Sequence, residues 1–301
     1  MNELNSLGGI VDPDESRLEF FSKKYTGINV FTSISDALKN RDFSAYVVVV
    51  PAKDHYEIAK EIILAKKHVL VEKPIALNIK HAEELVDLSI KNNVNLMVGH
   101  LLLFHPAMLK IKAMIKNGRI GTLQYIYSNR LNLGTIRSEE NVFWSLAPHD
   151  ISLFQFFTES YPSDIKAVGS AFIQKEIHDC TITHLSYPGG MSGHIFVSWL
   201  NPFKEHRLVI IGSEGMITFE DSIEGKPLKF HSKKFEYENN IPEKVDGPVE
   251  EIRYENKMPL TEELSYFINK IDNGKIDIAT GEEALQITKI LVEASTLLEK
   301  K

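Results

Sequence analysis

The feature that most restricts the fold is an alternation, within the first hundred residues, between short unbroken apolar runs and longer segments with helical spacing. The runs lie in GGIVD, INVFT, AYVVVVPA, HVLVEKP and NLMVGH, each ending near a polar or turn residue. Strands covered on both faces need this continuous apolar character. Between them stand DESRLEFFSKKYTG, SISDALKNRDF, HYEIAKEIILAKK and NIKHAEELVDLSIKNN. Ile58, Ile62 and Ala65 share one helical face, as do Ala82, Leu85, Val86 and Ser89. Strand and helix in turn predict a parallel sheet wound with helices on both sides.

The texture changes after HPAMLKIKAMIKNGRIG, an amphipathic helix closed by Gly118 or Gly121. TLQYIYSNRLNL, SDIKAVGSAFIQ, CTITHLSY, GHIFVSWL, HRLVIIG and GMITFED are rich in β-branched and aromatic residues. PGG at 188–190 and GSEG at 212–215 are turn signals for antiparallel hairpins. One helix is expected in SLAPHDISLFQFFTES and two more in LTEELSYFINKIDNG and GEEALQITKILVEASTLLEK. Residues 222–258, charged and carrying Pro227, Pro242 and Pro248, read as the loosest part, with an exposed loop. The fold class is α/β: a parallel sheet over 1–104, then an α+β domain over 105–301 with a mostly antiparallel open sheet.

Bulk properties narrow the partners. The 301 residues suffice for two domains. A formal net charge of -7 without a basic run argues against nucleic acid and membrane surfaces and favours a small-molecule ligand. The single cysteine, Cys180, has no partner for an internal disulfide and reads as a buried strand residue. No apolar run approaches the roughly twenty residues that span a bilayer, and no export signal is recognisable, so a cytoplasmic location is expected. The eleven histidines include no HExxH and there is no paired-cysteine spacing, so no metal site is expected. No GxSxG elbow supports a hydrolase.

The chemistry begins with VLVEKPIAL, which sets Glu72, Lys73 and Pro74 at the carboxyl end of a buried strand. Ligands of open α/β sheets lie just outside those ends. There an ammonium can polarise an oxygen and stabilise alkoxide charge while the neighbouring carboxylate holds or tunes it. Pro74 restricts the backbone of Lys73 to an extended form. The competing reading is a solvated Lys–Glu pair at a strand end.

Several segments together resemble the Gfo/Idh/MocA family of sugar oxidoreductases: VVVVPAKDHYEIA, HVLVEKPIAL, NLMVGH with FHPA, GRIG, IIGSEGMITFED and TGEEALQITKIL. The resemblance covers nearly the whole chain. It implies a Rossmann domain followed by an α/β domain with an open antiparallel sheet, hydride transfer between NAD(P) and a sugar or polyol hydroxyl, and homo-oligomers formed through the open sheet. Carried onto this sequence, it makes Lys73 catalytic and assigns Asp12, Pro51, His55, Glu72 and Lys73 to the cofactor. The family's helix pattern D-x-G-x-H-x-x-D aligns with SLAPHDIS, so His149 becomes the proton acceptor and Asp150 its possible orienter. Ser145 stands where an aspartate is common and Ala147 where a glycine is common.

NRLNLGTIRSEENVFWSLAPHDIS is similar to a subgroup that oxidises nucleotide sugars for surface polysaccharides. Arg130 and Arg137 would grip a diphosphate or sugar carboxylate, and Asn132 and Trp144 would add a hydrogen bond and a ring face. His100, with His105 nearby, would reach the sugar.

Against that family the N-terminus reads as short, with MNELNSL the end of the first helix and Leu4 and Leu7 remnants of its apolar face. Asp12 is then the ribose-binding acid, which favours NAD over NADP. It can equally be a turn and capping residue in VDPDES. Without a glycine turn to hold the pyrophosphate, NAD binding is expected to be weak. The alternative function is a binding or assembly protein of the same descent with impaired turnover.

Overall fold

The computed structural model describes residues 4–138 and 140–299. In chain order the elements of the first part are β1 (Gly9–Val11), α1 (Glu15–Lys24), β2 (Asn29–Phe31), α2 (Ile34–Ala37), β3 (Ala45–Val48), α3 (His55–Leu64), β4 (His68–Val71), α4 (Ile79–Asn92) and β5 (Leu96–Val98). Helix α5 (Pro106–Lys116) leads to β6 (Leu123–Leu133), α6 (Val142–Thr158), β7 (Asp164–Ser170), β8 (Cys180–Ser186), β9 (Ser192–Ser198), β10 (Leu200–Gly212) and β11 (Met216–Glu220). The chain then forms β12 (Leu228–His231), β13 (Lys234–Glu238), β14 (Ile241–Val245), β15 (Val249–Glu251), α7 (Pro259–Asn273) and α8 (Gly281–Glu299).

Residues 1–100 and 260–288 make one compact unit, and 101–259 with 289–301 a second. The assignment of all of 105–301 to the second domain therefore differs from the structure. Segment 260–288 is tied to β5: Val98 N–H donates to Ala279 O at 2.9 Å, and the Asn95 amide donates to Lys270 O and Gly274 O at 3.0 Å each. An amphipathic helix declares which face it buries, not which sheet it buries it against.

In the first unit every ladder is parallel, as expected, but the strands fall into two sheets, β1–β2 and β3–β4–β5. One face of the larger sheet is covered by α3 and α4, whose Ala59, Ile62, Ile63, Ala82, Leu85 and Val86 join Val69, Val71 and Val98 in one core. Helix starts follow the capping residues: Asp14 accepts from Ser16 N–H and Asn78 from His81 N–H, both at 2.9 Å. The helix end expected in MNELNSL lies outside the described residues for Met1–Glu3, and from Leu4 to Leu7 there is no α-helix.

The second unit holds an eight-stranded sheet, ordered β15-β12-β11-β10-β6-β9-β8-β7 and antiparallel except at β6–β9. Both turn signals make the predicted hairpins, β8–β9 and β10–β11. Helix α6 covers one face. Gly193 of β9 permits this approach, because a Cβ there would stand 2.8 Å from the Phe154 ring and 2.3 Å from Ile126 O. Helix α5 ends at Asn117, with Gly118 at φ +71° beyond it. Cys180 is a strand residue, half-buried rather than buried.

Segment 222–258 holds the expected exposed loop at its end, 253–258. It contains four strands, two of them paired only with each other as the β13–β14 hairpin. That hairpin is exposed along most of its length, so its residues are charged, and Pro242 is tolerated on a strand with one free edge.

Candidate functional site

Lys73 follows directly on β4, at its carboxyl end, and is half-buried between Glu72 and the buried Pro74. The turn is held from two sides. The Glu72 carboxylate accepts from Lys73 N–H at 3.3 Å and lies against Gly99, where an added Cβ would stand 3.0 Å from Oε2. His55, buried at the start of α3, has Nδ1 2.7 Å from Pro74 O and Nε2 2.9 Å from Val50 O. Its ring therefore clamps the end of β3 to the Lys73–Pro74 turn. That geometry gives His55 an internal positioning role where the sequence assigned it to a cofactor. Pro51 is exposed at the same strand end and opens the short 3-10 turn Ala52–Asp54 that precedes α3.

His100 lies one residue past Gly99 and is 2% exposed, and neither of its ring nitrogens has a hydrogen-bond partner among the described residues. Burial, reinforced by the Lys73 cation, depresses its pKa to about 3. A neutral imidazole with unused donor and acceptor capacity is thus held near an ammonium. Glu263 of α7 was not anticipated. It is 2% exposed, and burial together with the charge of Glu72 raises its pKa to about 8. The signal was present in the sequence: Glu263 stands four residues before the fully buried Phe267, on the same helical stripe.

Asp12 directly follows β1. Its Oδ1 accepts from Asp14 N–H at 2.9 Å, its Oδ2 is 3.4 Å from Arg17, and its side chain is 23% exposed. The acid thus serves the turn and still faces outward, so both roles read from the sequence are compatible with its placement. Gly8 and Gly9 are packing glycines, since a Cβ on Gly8 would lie 2.7 Å from the Phe43 ring and one on Gly9 3.0 Å from it. Asp12 follows the carboxyl end of β1 and Lys73 that of β4, the strand ends outside which ligands of open α/β sheets lie. Among the described residues no glycine turn cradles the pyrophosphate between them.

In the second unit the expected sugar-side residues separate into two groups. Arg130 on β6 donates from Nε and Nη2 to Asp150 Oδ2 and Oδ1 at 2.9 and 3.0 Å, with both side chains nearly buried. His206 and Asp221 extend the network, with His206 Nδ1 3.5 Å from Arg130 Nη1 and 3.9 Å from Asp221 Oδ2. Arg130 therefore differs from the expectation of a diphosphate fork, and Asp150 from that of an orienter with a spare oxygen, because each occupies the other. Trp144 uses its indole N–H on Ser295 Oγ at 2.7 Å, leaving its half-buried ring as the available feature. Asn132 is half-buried and its side chain lies against Gly134. Arg137 is exposed and sits 3.3 Å from Glu140. His105 caps α5, with Nδ1 accepting from Ala107 N–H at 3.1 Å.

His149 is half-buried on α6, and its carbonyl accepts from Ser152 Oγ at 2.7 Å. Pro148 stands immediately before it within the helix. Proline brings no N–H to the ladder, so a carbonyl one turn earlier loses its intrahelical partner beside the histidine. No cluster of three or more metal-ligating side chains occurs among the described residues. No described helix is long and apolar enough to cross a membrane.

Residues 2–100 match the family profile described as "Oxidoreductase family, NAD-binding Rossmann fold", and residues 108–218 match the "GFO/IDH/MocA C-terminal domain". UDP-N-acetylglucosamine 3-dehydrogenase of Acidithiobacillus ferrooxidans is 27% identical over 171 residues, which span 56% of this chain and 52% of that protein. Myo-inositol 2-dehydrogenase of Thermotoga maritima is 23% identical over 306 residues, spanning 98% and 89% respectively. The crystal structure of the Acidithiobacillus ferrooxidans enzyme superposes with a TM-score of 0.85 at 21% identity, covering 97% of this chain and 90% of that one. That of GenD2 from gentamicin A biosynthesis in complex with NAD gives 0.79 at 20% identity, covering 98% and 87%.

Proposed function

The chain belongs to the Gfo/Idh/MocA oxidoreductase family, and from that premise we propose that it transfers a hydride between NAD and a sugar hydroxyl, with a nucleotide sugar as substrate. The observation that carries the reading is Lys73 at the carboxyl end of β4, fixed by Glu72 and the His55 clamp beside a neutral, unpartnered His100. NAD, when bound, supplies the hydride acceptor. Lys73 stabilises negative charge on the sugar oxygen as its proton leaves, and His100 offers that region a neutral donor or acceptor. His149, on α6 of the second unit, is the proton acceptor in this reading. Asp12 meets the adenosine ribose, and its charge disfavours the extra phosphate of NADP.

Substrate recognition is assigned to the surface of the second unit. Arg137 is the exposed cation for a diphosphate, Trp144 gives a ring face and Asn132 a hydrogen bond, while Arg130 and Asp150 fix α6 on the sheet. The relative named for UDP-N-acetylglucosamine supports the nucleotide-sugar class. A role in surface polysaccharide synthesis and a cytoplasmic location belong to the same proposal.

Homo-oligomers would form through the uncovered sheet face. Cross-strand register aligns Val168, Ile182 and Phe196 in one row, with Val168 67% and Ile182 45% exposed. Beside them Tyr125 Oη lies 2.8 Å from His194 Nδ1, and Tyr127 stacks on the same ring.

A second reading is favoured by the division of the parallel strands into two sheets and by Phe43 over Gly8 and Gly9. On that reading the chain is a binding or assembly protein that holds NAD weakly. Following NADH formation with a panel of UDP-sugars and the matching free sugars separates the two. Turnover confined to UDP-sugars supports the first, and binding of a UDP-sugar without turnover supports the second.

A further inference from the structure

His55 opens α3 at 1% exposure, and both of its ring nitrogens end on carbonyl oxygens, Nδ1 2.7 Å from Pro74 O and Nε2 2.9 Å from Val50 O. A carbonyl oxygen can only accept. A neutral imidazole has one N–H and one bare nitrogen, so it satisfies one of the two oxygens and turns a lone pair on the other, whereas the imidazolium donates to both. Among the described residues no other hydrogen bond or ion pair reaches the ring. The charges around it come in both signs: Lys53 and Asp54 precede it in the 3-10 turn, and Glu72 and Lys73 form the turn that it holds. On α4, His81 stacks on Tyr56, Glu84 pairs with Lys60 at 2.7 Å, and the other charged residues are exposed. Tyr46 of β3 and His68 of β4 are bonded elsewhere, to Ala37 O and Asn95 N–H. Burial alone disfavours a cation, while hydrogen bonds that only the charged form can make favour it. With flanking charges of both signs, the two carbonyl oxygens decide how many protons the ring carries.

We propose that His55 is a positioning residue that works as an imidazolium, its two N–H donors holding the Val50–Pro51 segment beyond β3 against the Lys73–Pro74 turn beyond β4. When the ring loses a proton, the one that stays is on Nδ1, which makes the shorter contact, and Val50 O is left facing a lone pair. The Val50–Pro51 segment then moves away while the Lys73 turn remains tied. The functional consequence rests on the reading of Pro51 as a cofactor-side residue and Lys73 as the reacting cation: dinucleotide affinity falls in alkaline solution. The proton count itself is a property of the first unit and needs no cofactor.

The test is a nitrogen NMR pH titration of the full chain carrying isotope-labelled histidine, with the His55 ring assigned through bonds to its own backbone. At neutral pH both His55 nitrogens should carry slowly exchanging protons, and with rising pH the Nε2 proton should leave first. In parallel, NADH binding followed by nicotinamide fluorescence should weaken roughly tenfold over the same alkaline range, the worth of about one hydrogen bond. His55→Gln, which has no ring to titrate, should bind NADH weakly throughout and show no alkaline step. If that variant does not fold, the wild-type titration and binding curves still decide. A His55 nitrogen without a proton at neutral pH overturns the proposal, and so does NADH binding that does not follow the ring's titration. If NADH binds at no pH, the cofactor reading fails and the NMR result alone decides the state of His55.

Discussion

Arg130 and Asp150 close on each other inside the second unit through two parallel hydrogen bonds of 2.9 and 3.0 Å, joining β6 to α6, the helix that carries His149. Breaking a buried pair by removing one partner strands the other charge, a loss of about 3–5 kcal/mol. Asp150→Ala should therefore lower the urea midpoint of the second unit strongly, whereas the double change Arg130→Met, Asp150→Leu should recover much of it. Equal losses for the single and double variants would show that the pair is not what holds α6.

Lys73→Met removes the cation but keeps the length and the apolar stem of the side chain. Turnover should fall on the order of a hundredfold or more with the unfolding midpoint unchanged, because the lost interaction is with transition-state charge. Unchanged turnover would take Lys73 out of the mechanism.

His100 gives a pH dependence with a definite sign. Its folded pKa of about 3 lies below the ordinary value of 6.5, so the unfolded chain binds the additional proton. The contribution is complete above pH 6.5 and is lost as the pH falls from there toward 3. His100→Leu should flatten the acid side of the stability curve of the first unit by an amount on the order of a few kcal/mol. A curve identical to that of the wild type would mean that the ring is solvated in the folded protein.

Arg137 is exposed, and its guanidinium lies 3.3 Å from Glu140. Arg137→Ala should weaken a UDP-sugar about tenfold or more and leave a free sugar almost unaffected, since only the former carries a diphosphate. Equal losses would refute the nucleotide-sugar assignment.

Much of this was legible in the sequence, and the parts that were not share a cause. The parallel strands, both hairpins and the turn holding Lys73 came from local signals: unbroken apolar runs, glycine turns and a proline. What escaped was pairing over long separations. Arg130 and Asp150 are twenty positions apart, and nothing local marks a surface-type fork as closed on a buried acid. Glu263 feels the charge of Glu72, roughly two-thirds of the chain away, and segment 260–288 packs with β5, because a helical stripe records burial and not the identity of its neighbour. The β13–β14 hairpin is not legible because strands exposed on both faces lose the period-two apolar pattern that identifies a strand.

The proposed reading places cofactor choice on Asp12, which directly follows β1 with Arg17 3.4 Å away. Asp12→Ala should relax a preference for NAD toward NADP by roughly tenfold, as a negative charge near the second phosphate is removed. A ratio that does not move would assign Asp12 to the turn alone.

The central claim, that this chain moves a hydride between NAD and a nucleotide sugar, is tested most directly by mixing the purified protein with NAD and UDP-N-acetylglucosamine or a related UDP-sugar and recording nicotinamide absorbance. The account predicts NADH formation with the UDP-sugar and little with the matching free sugar. It also predicts that Lys73→Met abolishes the signal. No NADH from any UDP-sugar at saturating NAD, or an equal signal from Lys73→Met, would contradict it.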